Sequence, residues 1–76
     1  MDNVVEVVSL LRRQFELEQQ LINGDGAAVA AENALEATRR RLIAHPQVLS
    51  AVLHTARAMR RTPDAISVQD VADCGW

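Results

Sequence analysis

Two histidines, one cysteine and eight arginines are the side chains of this chain most able to do more than carry charge on a surface. His45 and His54 are separated by Pro46 and by more than two helical turns. Proline breaks the helix that would hold them in fixed relation, so a shared metal or general-base site is not specified. Cys74 stands beside Asp70 and Asp73, the opposite of the cationic surroundings that activate a thiolate. Glu32 and Glu36 share a helix face at carboxylate spacing but lack the Glu-x-x-His pattern of di-iron bundles. No glycine-rich phosphate loop follows a strand. The expectation is a chain without catalytic, metal or cofactor residues, and not an enzyme.

The arginines are another matter, because they are unevenly placed. All eight cations are arginines; Arg12 and Arg13 lie early, and the other six fall between Arg39 and Arg61. No acid occurs from Ala37 to Thr62, although the chain as a whole carries ten acids and a net charge of −2. Gln47, Ser50, His54, Arg57 and Arg61 form one stripe at helical spacing, and Arg39, Arg40 and Arg41 close the preceding helix. Forked guanidinium donors suit either the carboxylates of an acidic protein or the phosphates of a nucleic acid. The negative total and the lack of aromatics for base stacking weigh against nucleic acid, which is the alternative reading. An amphipathic helix also needs a solvated face, and arginine near a helix C-terminus meets the helix dipole favourably. Arg40 has Glu36 four residues before it, and Arg39 has the same glutamate at three. The candidate partner-binding residues are Arg39, Arg40, Arg41, His54, Arg57, Arg61 and Trp76.

Trp76 closes a short segment of its own. Ser67-Val68-Gln69-Asp70-Val71-Ala72, followed by Gly75, is similar to the first helix and turn of the repressor family that includes the lactose repressor. The likeness departs one residue before the glycine, and the recognition helix that would enter the major groove does not follow. Nothing is carried over from that family. The indole of Trp76 has two uses, as burial against its own helices or as an anchor in another chain.

Helices must position these residues. Asn3-x-x-Glu6 has capping-box spacing and opens a run that lasts to Ile22. Val4, Val7, Val8, Leu11, Phe15 and Ile22 share one sector, which Leu10, Leu17 and Leu21 widen to about half the circumference. Such a helix contacts two neighbours. Asn23-Gly24-Asp25-Gly26 ends it, with Asp25 placed to cap a second helix. That helix has an inner stripe of Ala28, Ala31, Leu35, Thr38 and Leu42, and pairs with the first as an antiparallel hairpin. After His45-Pro46 a third helix carries Val48, Leu49, Val52, Leu53, Ala56 and Met59 on one arc and ends at Thr62-Pro63. Ser67-x-x-Asp70 caps a short fourth, with Ile66 and Val71 at staple spacing. The helices are expected at about 3–22, 26–44, 46–61 and 67–74. Glu18 and Arg60 interrupt apolar stripes, so they either pair or reach water from element ends.

Residues 1–76 therefore read as one all-α domain. Hydrophobic residues make up 49% of the chain, but many are alanines and the aromatics are Phe15 and Trp76 alone. A core this thin is expected to be completed by a second copy, giving a dimeric bundle that buries the broad face of the first helix. One cysteine makes no internal disulfide, and Asp2 and Glu6 stand where a signal peptide carries cations. The expectation is a soluble cytoplasmic protein, without a membrane segment, that binds a protein partner as an adaptor, inhibitor or regulatory subunit.

Overall fold

A computed structural model describes residues 2–24 and 28–74. The elements are α1 (Asp2–Asn23), α2 (Ala28–Ile43), α3 (Pro46–Met59), a 3-10 turn (Pro63–Ala65) and α4 (Val68–Asp73). All are helical, in the expected order, with no strand among the described residues. The start expected for the second helix and its Asp25 cap lie outside the described residues, as does Trp76.

The broad apolar face of α1 is used within the chain itself. Val4, Val7, Val8 and Leu11 pack with Leu42, Val48, Val52, Ile66 and Val71 in one core. Leu17 packs with Ala31 and Leu35 in a second, smaller cluster toward the α1–α2 turn. The first cluster draws on all four α-helices, whereas the second draws on α1 and α2 alone. The hairpin thus extends beyond the body as a two-helix arm. The Cα radius of gyration is 13.0 Å, above the roughly 11 Å expected of a compact chain this long.

Helix lengths explain the arm. At 1.5 Å per residue, α1 is about 33 Å long and α3 only about 21 Å. A third helix that short covers the first half of α1 and leaves the second half bare on that side. Phe15 and Ile22 share the sector of Leu11, as the periodicity predicts, yet they are 45% and 75% exposed. The inner position expected for Ala28 is likewise exposed, while Ala31, Leu35, Thr38 and Leu42 are buried as expected.

The junctions follow from local chemistry. Gly24 takes φ +69°, the left-handed conformation that ends α1. Asn3 lies within α1 rather than ahead of it, and Glu6 reaches His45 at 3.1 Å instead of capping the helix. This pair ties the start of α1 to the α2–α3 connection. His45 precedes Pro46, and its carbonyl accepts the first α3 hydrogen bond, from Leu49 at 2.9 Å. Helix α3 stops at Met59, short of the expected boundary, because Arg60 adopts a left-handed conformation (φ 54°). The Arg61 amide donates to the Ala56 carbonyl at 2.9 Å and the Arg60 amide to that of Arg57 at 3.2 Å. These are the paired bonds of a Schellman motif.

Helix α4 begins as the sequence predicts. The Asp70 amide donates to the Ser67 hydroxyl at 3.2 Å, and the Ser67 amide donates to the Asp70 carboxylate at 3.0 Å. Ile66 and Val71 are both buried in the main core. The Arg12 guanidinium reaches across from α1 to the Ile66 carbonyl at 3.5 Å. No helix among the described residues is long and apolar enough to cross a membrane.

Candidate protein-interaction groove

Three open depressions meet along the outer side of α3. One lies between α3 and the end of α2, bordered by Ile43, Leu49, Leu53, His54 and Arg57. A second lies between α1 and the 3-10 turn, bordered by Phe15, Glu18, Leu53 and Asp64. The third joins them across α1, α2 and α3, with Leu11 and Leu42 below and Gln14 and Arg39 at its border. Leu53 belongs to all three. Together they form one groove with an apolar bed.

The bed is open because α3 is amphipathic over a wider arc than α1 and α2 can cover. Val48, Val52 and Ala56 point into the core, while Leu53 on the edge of the same arc is 42% exposed. Ile43, the last residue of α2, is 70% exposed. An α2 that ends here, at the turn before Pro46, has nothing beyond it to cover that side chain. Phe15 supplies the far end of the bed, where α3 no longer shields α1.

Charge is divided along the groove. Arg39, His54 and Arg57 border it on the α2–α3 side. Glu18 and Asp64 border it on the side of α1 and the 3-10 turn. The structure thus brings together three of the residues singled out in the sequence and separates the rest. Arg40 pairs with Glu36 at 2.8 Å on the exposed face of α2. Arg39, the other arginine within reach of Glu36, faces the groove instead. Arg61 meets the Asp70 carboxylate at 3.6 Å, fixing α4 to the end of α3. Arg41 is exposed outside the groove.

Glu18 and Arg60 form no ion pair among the described residues; Glu18 is half-buried in the groove wall and Arg60 is exposed beyond α3. The left-handed backbone of Arg60 carries it out of the arc that helical periodicity assigned to it. Phe15, Leu49 and Leu53 were legible in the sequence as core positions, not as a surface, and Ile43 lay outside the stripe assigned to the second helix. The available signal was the unequal length of the predicted helices.

Among the described residues no three His, Cys, Asp or Glu side chains gather as metal ligands. Among the described residues one carboxylate, that of Asp70, has a shifted titration. The Asp70 carboxyl is held below its ordinary value first by the Ser67 amide and then by the Ser67 hydroxyl, partly opposed by burial, with the Arg61 guanidinium adding a smaller lowering effect. These contacts belong to the α4 cap.

Fold and groove define the class: a small chain whose described residues are all helical, with four α-helices and an apolar groove carrying opposite charge on its two sides. No family model matches the chain, and neither the curated proteins nor the solved structures contain a match to it.

Proposed function

We propose that this chain is a non-enzymatic interaction protein, an adaptor, inhibitor or regulatory subunit, that receives an amphipathic helix of a protein partner in the groove centred on Leu53. The observation that carries the reading is an apolar bed in which Phe15, Ile43 and Leu53 stand exposed around a half-buried Leu49, left open by the chain's own helices. Apolar surface of this kind is released from water by a helix laid in it. Arg39 and Arg57, with the His54 imidazole beside them, select a partner whose apolar stripe is flanked by acids. Self-association into a dimeric bundle belongs to the same proposal, because the thin core leaves this surface bare. A single exposed thiol, Cys74, accords with action in the reducing cytoplasm.

Nucleic acid is less well served. Arg40 and Arg61 are committed to Glu36 and Asp70, so the arginine-rich segment does not present one cationic face. A synthetic helical peptide with leucines at i, i+4 and i+7 and flanking glutamates tests the reading by fluorescence anisotropy. It is expected to bind, with a lysine-flanked version about tenfold weaker and binding lost in Leu53→Asp. Equal binding by Leu53→Asp overturns the reading. Tighter binding to a DNA duplex than to the peptide, with a steep loss in salt, would replace it with the nucleic-acid one.

A further inference from the structure

The groove's two-sided charge, together with the bare second half of α1, points to its occupant. Leu11, Phe15, Glu18 and Ile22 fall in one sector of α1. Leu11 is buried beneath α3, but Phe15 and Ile22 stand exposed with the half-buried Glu18 between them. That stripe is an apolar helix surface with an acid in it, the chemistry that the cationic side of the groove selects.

We infer that a second copy of this chain occupies the groove, with the Phe15–Glu18–Ile22 stripe of each protomer laid against the Ile43, Leu53 and Arg57 side of the other. The inference rests on the reading of the groove as a helix-binding surface and names its resident partner. A two-fold interface brings residue i of one copy against j of the other, and j against i. A patch that is uniformly basic repels itself under that symmetry. This patch is not uniform. Glu18 and Asp64 on one side and Arg39 and Arg57 on the other become complementary when the second copy is turned over. Leu53, common to all three depressions, then lies nearest the axis, where it is most fully desolvated. A second copy and a partner helix compete for one bed, so dissociation of the dimer regulates access to the groove.

Sedimentation velocity over a concentration series is the test, with circular dichroism to verify that each variant is folded. The wild-type chain is expected to form a dimer. Glu18→Arg and Arg57→Glu are each expected to weaken it about tenfold, since symmetry places the pair twice. The double variant Glu18→Arg/Arg57→Glu is expected to recover dimerisation to within about threefold of the wild type. A double variant no better than either single overturns the pairing, and a wild-type monomer at every concentration overturns the inference altogether. The glutamate-flanked peptide separates the two levels. If the chain is monomeric and the peptide still binds, the inference and the self-association in the proposed function fail while the helix-binding reading of the groove stands; if neither occurs, both fail.

Discussion

Arg60 and Asp70 show how far single residues in this chain are ruled by backbone geometry. Arg60 takes φ 54°, a conformation that costs an L-residue about 1–2 kcal/mol relative to glycine. Its replacement by glycine fits the Schellman turn better, offset by glycine's greater loss of freedom on folding. Arg60→Gly is therefore expected to raise stability by about 0.5 kcal/mol in urea unfolding, without altering α3. Asp70 acts through its charge. Its carboxyl titrates below the ordinary 3.8 in the folded chain because the Ser67 amide, the Ser67 hydroxyl and Arg61 favour the ionised form. Its stabilising effect is thus complete above that ordinary value and is lost as pH falls through the lower folded one. Asp70→Asn is expected to lower stability at neutral pH and to flatten the acid side of the stability–pH curve. An acid limb as steep as the wild type's would show that other carboxylates control it.

At the scale of elements, α4 and the turn before it close the core that α1 and α3 form. Ile66 is completely buried although it belongs to no α-helix, and Arg12 holds its carbonyl from α1. Ile66→Ala is expected to cost about 2–5 kcal/mol, close to the whole stability of a domain this small. The measurement is chemical denaturation, and the outcome that contradicts it is a loss comparable to that of an exposed position. The α1–α2 turn is more forgiving. A Cβ added to Gly24 meets no atom within 4 Å, so only the left-handed backbone resists substitution. Gly24→Ala is expected to cost about 1 kcal/mol, and Gly24→Asn less, by the same measurement.

The whole molecule is thin, with Cα extents of 41 × 24 × 14 Å. A helix with its side chains is about 10 Å across, so the chain is scarcely two helices deep, and the depressions along α3 are open ones. Its chemistry is carried on surfaces. At this scale the groove's affinity for the acidic peptide is expected to fall only a fewfold between low and physiological salt, because apolar burial supplies most of it. A loss approaching a hundredfold over that range would mean that the arginines, not the apolar bed, dominate.

Some features were already fixed by local chemistry and legible as such. The α1 period, the break at Gly24, the proline start of α3 and the Ser67–Asp70 capping box each depend on residues within one or two turns of one another. The all-helical order follows from them. The sequence also bounded the candidate site, since Arg39, His54 and Arg57 could be picked out by charge and spacing alone. It left Glu36 within reach of both Arg39 and Arg40 and gave no sign of the Arg61–Asp70 pair, and these partners take Arg40 and Arg61 out of the groove. Nor did it tell a buried Val52 from an exposed Leu53 on one apolar arc, or Leu11 from Phe15 on another. Those differences depend on where neighbouring helices end. Hydrophobic periodicity records the direction in which a side chain points, whereas burial also requires a neighbour at the same height along the axis, and only the tertiary structure sets that.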